Sequence, residues 1–494
     1  MKKGRILIAV QSSCRIIVEI CSMKILNLFP CNKLIVLSII LLFCSIGAIA
    51  GKEDRGHLVS VRIVNCTDTL FYLNHYSVDG IINDDTARKN QDGAIVFRGP
   101  DTLETGMYFV SSNVKPRYFD FFIGTEQNLT FEFEWPHMIR TMKTTGSVEN
   151  RNYFKTLLAL QSHVPGTALY NDSIEYLVNH AAVSDSTMKH LLGSPNDKLS
   201  FSEKYLKACI LPSVFQQIQF KKPGEMASGS IRFYLDHFFD NLDFSDYPLA
   251  NTAVFTRRID EFIDTITALR QFPMQAEVNH LIALSSANQK TMEFVTWYLL
   301  TKFETYYFLP GYDALFVHIV NDFLETGKVA WFYPEVKSRE LNALKKMEPL
   351  LNGKIVPDLE MPDTNAIFRE LYAVKSKYTL LLFWASTCSH CRDEMPAILK
   401  LYDDFHLKYN FELFAVSTDT SISRWKSYVR RHKLPWVNVF GRKNTHGSYH
   451  DLYNIQSTPT LFLLDDKKAI IEKYILTDKV REIIINNEVH KRKK

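Results

Sequence analysis

The sequence predicts a multidomain chain: an all-β, sandwich-like module, then an all-α module, then an α/β domain with a mixed central sheet flanked by helices. Three observations predict it. Short runs rich in β-branched and aromatic residues fill 57 to about 145, separated by turn residues. From about 146 to 350 apolar residues recur at helical spacing. From 351 onward strands and helices alternate and close on a hairpin-like pair, which implies a mixed sheet covered by helices. The 494 residues exceed one ordinary core. With 46% hydrophobic and 23% charged residues the chain is of globular rather than disordered composition. The expected modules are 51–145, 146–350 and 351–494.

Residues 1–50 read as a signal peptide. Lys33 precedes the apolar run 34–47, and Ala48-Ile49-Ala50 supplies the small residues a signal peptidase reads, so the mature chain is expected to begin near Gly51. Met23-Lys24 would open a leader of more ordinary length, and the true start is expected there. The apolar run, about 17 residues, also approaches the lower limit for a spanning helix, so a retained membrane anchor stays open as a second reading. Bulky Phe43 argues against a lipid on Cys44. Export changes the cysteine arithmetic. Of eight, Cys14, Cys21, Cys31 and Cys44 leave with the leader, and Cys66, Cys209, Cys388 and Cys391 remain. One close pair and two distant singles is not a small secreted disulfide framework. A Cys66–Cys209 bridge is left open. The net charge of +4 is small for this length, and with no basic stripe the chain is not expected to bind nucleic acid.

In the first module, His57 to Val64, Thr69 to Tyr76, Ala94 to Arg98, Gly106 to Ser112, Tyr118 to Ile123 and Leu129 to Glu134 read as strands. Asn83-Asp84-Asp85, Asp92-Gly93, Gly99-Pro100 and Asn113 to Pro116 read as turns. Nothing in it gathers nucleophile, base and orienting group, so it reads as structural. In the second, Ile259, Phe262, Ile263, Ile266 and Leu269 share a face, as do Phe316, Ile319, Val320 and Phe323. The stripe Phe294, Trp297, Tyr298, Tyr306 and Tyr307 reads as core, as does the lone His318. Glu335 to Glu348 reads as a solvated helix leading into the last domain.

In that domain an apolar run, Leu380 to Trp384, predicts a buried strand at 378–384, followed by a helix from about 388 to 407. Phe411 to Ser417 and Trp436 to Phe440 continue as strands around a helix near Ser423 to His432. The pair Thr460 to Leu464 and Ala469 to Ile475 then precedes a final helix near 477–487. Cys388 and Cys391 carry the chemistry. Two thiols separated by two residues at a helix start can close a small disulfide ring, and the first sulfur faces unpaired backbone N–H groups that favour its thiolate. A zinc site would need two further ligands in similar grouping, and the mature chain has no second close pair, so no metal and no cofactor are expected. A peroxiredoxin-type peroxidase would need proline and hydroxyl residues leading into a single cysteine, which are absent.

Phe383-Trp384-Ala385-Ser386-Thr387-Cys388-Ser389-His390-Cys391-Arg392-Asp393-Glu394-Met395-Pro396, with Ser457-Thr458-Pro459-Thr460 downstream and Ile355 to Leu359 upstream, resembles the thioredoxin-fold disulfide reductases of the TlpA/ResA type. The resemblance covers the last 140 or so residues. More weakly, the upstream regions resemble the modules that precede such domains in Bacteroidetes envelope proteins. The resemblance implies that Cys388 attacks a substrate disulfide and that Cys391 resolves the mixed disulfide. It implies a partly buried carboxyl at Glu394 that assists proton transfer; the competing reading is a first-turn glutamate stabilised by the helix dipole. Leu382 stands where ordinary thioredoxin has a buried aspartate, which adds weight to Glu394. Pro459 is expected cis, with the Thr458 backbone facing the cysteines and pairing with substrate, and Trp384 packed beside them. Pro396 is expected to kink the helix. Ser389 and His390 occupy the tuning positions. An imidazole there stabilises the thiolate and raises the reduction potential, whereas the resemblance pulls toward a reductase, so direction stays open. The implied partners are protein thiols and disulfides and a membrane or periplasmic electron donor, in the periplasm or cell envelope; the oligomeric state is left open. The rival reading is an envelope scaffold whose Cys388–Cys391 disulfide is merely structural.

Overall fold

A computed structural model describes residues 56–77, 80–162, 174, 178–179, 186–211, 228–269, 273–330, 334–441, 443–444 and 447–492. The leader and its apolar run therefore lie outside the described residues. Among the described residues no helix is long and apolar enough to cross a membrane. Of the described residues, 56–58 and 98–103 belong to one compact unit, in which His57 Nδ1 lies 2.8 Å from the carbonyl of Asp101. The remainder forms the other unit.

The N-terminal region is built of two four-stranded sheets. One has the order β4-β1-β7-β8 from β1 (His57–Val64), β4 (Ala94–Gly99), β7 (Asn128–Glu134) and β8 (Lys143–Thr145). The other has the order β3-β2-β5-β6 from β2 (Leu70–Ser77), β3 (Gly80–Arg88), β5 (Gly106–Ser112) and β6 (Phe119–Ile123). Alternate residues of β7, Leu129, Phe131 and Phe133, are buried, and Phe131 meets Phe119 and Phe121 of β6 at 5.1 and 4.8 Å between ring centroids. Every residue of β5 and β6 is buried. On β6 a helix, α1 (Val148–Ser162), accounts for this: the Asn150 side chain accepts from the Phe122 N–H and donates to its carbonyl. The expectation of a turn at Asn83–Asp85 is wrong. These residues lie in β3, an edge strand, where a register irregularity opposite Leu73/Asn74 lets Asn83 donate to the Leu73 carbonyl and Asp84 meet His75 at 2.6 Å. Polar side chains that usually break a strand are satisfied here because the edge faces water.

In the helical region, Ile259, Phe262, Ile263 and Ile266 of α2 (Ala253–Leu269) are fully buried. His318 of α3 (Tyr312–Ile319) sits in the core between Gln275 at 2.9 Å and Asn279 at 2.6 Å. The stretch expected to be a solvated helix, α4 (Pro334–Met347), turns Leu344 and Met347 inward and also buries Glu340 beneath Arg339.

The C-terminal region carries a five-stranded sheet. Its central strand, β9 (Tyr378–Trp384), is parallel to β10 (Phe411–Ser417) and antiparallel to β12 (Thr460–Leu464). The outer strands are β11 (Val437–Phe440), parallel to β10, and β13 (Ile470–Lys473), antiparallel to β12. Because β9 is covered on both faces, its side chains divide between two cores. Leu380, Leu382 and Trp384 pack against α5 (Ser389–Tyr409), α6 (Ile422–His432) and α7 (Thr477–Arg492). Leu381 and Phe383 pack against Tyr449, Tyr453 and Met361 on the other face. A small hairpin, Glu360–Pro362 with Phe368–Glu370, was not expected from the sequence. The edge strand β13 is lined by the incoming chain: Gly353 N–H donates to the Ile470 carbonyl at 2.7 Å and Ile470 N–H to that of Lys354 at 2.9 Å.

This edge is also where the helical region meets the sheet. Lys473, 4% exposed in its side chain, forms an ion pair with Asp313 of α3 and donates to the Leu350 carbonyl. Burial pushes the Lys473 ammonium below its usual range despite Asp313. Beside it the Tyr474 and Tyr307 rings meet edge-on at 5.3 Å. Asp313→Ala leaves this ammonium buried without its counter-ion and is expected to cost about 3–5 kcal/mol in denaturant unfolding. Asp313→Leu combined with Lys473→Met should recover most of that loss.

Candidate active site

The parallel register of β9 and β10 sets Trp384 opposite Ser417, and Thr418 N–H donates to the Trp384 carbonyl at 2.7 Å. The chain then turns through Ala385-Ser386-Thr387, with Cys388 N–H returning to the Ala385 carbonyl at 3.2 Å, and enters α5. Cys388 is the N-cap of that helix. Its backbone is extended (φ −75°, ψ 123°), and its sulfur accepts the N–H of Cys391 at 3.3 Å in the role a serine or aspartate oxygen usually plays. The same sulfur lies 3.3 Å from the Thr458 carbonyl, to which a thiol donates.

The two sulfurs differ in environment. Cys388 is half-buried and Cys391 is 1% exposed. Burial acts to raise the Cys388 thiol, but hydrogen bonds from the Cys391 thiol, from the Thr458 side chain and from the N–H groups of Cys391 and His390 outweigh it and hold the group below the ordinary cysteine range. Burial pushes Cys391 well up, and its neighbour Cys388 adds to the rise. None of Cys66, Cys209, Cys388 and Cys391 forms a disulfide. Cys66 Sγ instead lies 3.1 Å from the Tyr118 hydroxyl, and Cys209 is buried.

Thr458-Pro459 is cis, and pairing of Thr460 with Phe383 holds this loop beside the end of β9. Trp384 lies in the core, 1% exposed, its ring 5.2 Å from that of Tyr428. Ser389 and His390 lie on the first turn of α5, and it is the backbone N–H of His390, not its ring, that bears on Cys388. Glu394 is half-buried, and its Oε1 accepts the N–H of Thr477, first residue of α7, at 2.9 Å. Pro396 lies within α5, which continues through it to Tyr409. Leu382 is fully buried.

One residue was missed. Asp419, 5% exposed, accepts from the Ser386 N–H (2.8 Å), the Ser386 hydroxyl (2.9 Å) and the Ser417 hydroxyl (2.9 Å). Arg392 Nη1 donates to the Ser386 carbonyl at 3.2 Å. The available signal was the polar pair of ends, Ser386 after one apolar run and Ser417-Thr418-Asp419 after the next, which a parallel register makes neighbours.

A mixed sheet, two thiols at the start of the helix after its central strand, and a cis-proline loop facing them define a protein of the thioredoxin fold. The thioredoxin-like family matches residues 376–470. Tryparedoxin of Trypanosoma brucei brucei is 31% identical over 103 residues, 20% of this chain and 70% of that protein. The thioredoxin-like protein YneN of Bacillus subtilis (strain 168) is 28% identical over 142 residues, 28% of this chain and 80% of YneN. The thiol-disulfide oxidoreductase ResA of Bacillus anthracis is 28% identical over 130 residues, 26% of this chain and 72% of ResA. The chain belongs, through its C-terminal region, to the thioredoxin-like thiol–disulfide oxidoreductases.

At neutral pH iodoacetamide is expected to alkylate Cys388 well before Cys391. Since the thiolate is the reacting form and the Cys388 thiol is held low, its rate should rise with pH through a midpoint below that of an ordinary thiol. Peptide mapping by mass spectrometry across about pH 5–10 measures both.

Proposed function

We propose that the protein is an exported thiol–disulfide oxidoreductase acting through its Cys-Ser-His-Cys centre on proteins of the cell envelope, in the reducing direction. The observation that carries this is the asymmetry of the two sulfurs: Cys388 partly exposed, capped by N–H groups and lowered, Cys391 buried and raised. A merely structural disulfide would require no such division of labour. In the proposed reaction the Cys388 thiolate attacks one sulfur of a substrate disulfide. The Cys388–substrate bond forms, the substrate S–S bond breaks, and the departing thiolate takes a proton. Cys391 then loses its proton and attacks the Cys388 sulfur, releasing the second substrate thiol. The substrate gains two electrons and the protein ends as the Cys388–Cys391 disulfide, to be reduced again by a membrane reductase or another thioredoxin-like donor. Glu394 would receive the Cys391 proton, and Thr458 and Pro459 would hold the substrate chain across the pair, with Trp384 packed beneath. Export rests on the leader at 1–50, with the modules 51–145 and 146–350 carried ahead of the reactive domain.

Cys391→Ser is expected to accumulate mixed disulfides through Cys388, seen as reductant-sensitive bands on gels, and a Cys388→Ser/Cys391→Ser protein none. Protein that reduces no disulfide and traps no partner sinks the reading. Direction is read from the Cys388–Cys391 potential, about −270 mV for a donor and about −120 mV for an oxidant. With Glu394→Gln, resolution of the mixed disulfide at pH 7 should slow about tenfold or more and recover as rising pH ionises Cys391 directly.

A further inference from the structure

We propose that Asp419 is a positioning residue for the dithiol: its carboxylate fixes the turn Ala385–Thr387 and, through that turn, the hydrogen bonds both sulfurs receive. The proposal deepens the oxidoreductase reading and rests on it. Asp419 lies just past β10, and what it holds is not a cysteine but Ser386. The Ser386 N–H and hydroxyl both donate to it, and from the other side Arg392 of α5 donates to the Ser386 carbonyl. Every polar group of Ser386 is therefore engaged. The residue before it meets both cysteines: the Ala385 carbonyl accepts the Cys388 N–H, and the Ala385 backbone is hydrogen-bonded to the Cys391 sulfur. A displacement of Ser386 therefore moves Ala385, and with it the start of α5 on which the N–H contacts to Cys388 depend.

The carboxylate suits this task. Buried, it is tolerated only because three donors satisfy it, so the geometry of those donors is strongly enforced. Alanine abolishes the arrangement, whereas asparagine keeps its outline. Oδ2 serves the Ser386 N–H and the Ser417 hydroxyl while Oδ1 serves the Ser386 hydroxyl, so an asparagine carbonyl in the Oδ2 place retains the first two bonds and the rotatable Ser386 hydroxyl accepts from its amide instead of donating.

The opposite possibility, that Asp419 acts on the thiols only as a nearby negative charge, predicts the opposite sign. Removing a buried anion favours a thiolate, whereas loosening the turn deprives Cys388 of its donors and disfavours it. The test is Asp419→Ala in the full chain, read by the pH dependence of Cys388 alkylation and of thiolate absorbance in the far ultraviolet. A higher midpoint, with alkylation at pH 7 slowed about tenfold, supports the clamp. So does a Ser386→Ala/Asp419→Ala protein whose midpoint rises no further. A lower or unchanged midpoint overturns it. Should Asp419→Ala fail to fold, Ser417→Ala, which removes one of the three donors, decides: a smaller rise in the midpoint supports, none overturns. Insulin reduction by the unaltered protein is run alongside. Its absence defeats the oxidoreductase reading, while the titration still judges the clamp.

Discussion

The arrangement depends on one meeting point, where the sulfur of Cys388 stands in for the oxygen that would ordinarily cap α5. A helix start leaves backbone N–H groups unsatisfied, and the first available acceptor decides what the terminus does. A serine there would give a stable cap and no chemistry. With cysteine, the same donors stabilise a thiolate, so a requirement of helix formation becomes a bias on ionisation. The rest of the domain aims this terminus. Parallel strands buried on both faces bring β9 and β10 to a common end, and the turn leaving β9 has only three residues before the cap.

The cis-proline loop completes the site from the opposite side of the sheet order. β12 runs antiparallel to β9, so the loop that leads into β12 arrives at the end of β9 from which the cysteines leave. Cys388 is thereby placed between helix amides and a backbone carbonyl, one set of groups complementary to the thiolate and the other to the thiol. The sulfur has a partner in either protonation state, as an exchange reaction that passes through both requires.

What the sequence disclosed follows from how local each signal is. Tyr378–Trp384 and Phe411–Ser417 have the bounds read from the sequence because each is an apolar run ended by polar residues, and no tertiary contact contradicts it. Cys388 and Cys391 were legible from their spacing at a helix start, and the Thr458-Pro459 loop only through the resemblance that the surrounding motif carries. Asn83–Asp85 misled because turn propensity is a local preference, overridden by pairing with β2. The Glu360–Pro362 and Phe368–Glu370 hairpin escaped because its second strand is exposed and bears no alternation. Asp419 is a different kind of miss: its meaning lies in a register between strands, 33 residues from the serine it holds. Glu394 was singled out as a proton carrier, and the Thr477 N–H it accepts across 83 residues could not be read from spacing.

The lining of β13 has a consequence for the solubility of any fragment of this protein. An outer strand with free N–H and C=O groups is a template on which a second chain can add, the usual route to aggregation. Here residues 353–355 occupy that template, and Asp313 neutralises the cation beside it. Proteolysis between the helical region and the sheet would keep the first protection only if it fell before Gly353, and would strip away the second wherever it fell. The helical region thus serves as a fitted cover for the sheet's vulnerable margin.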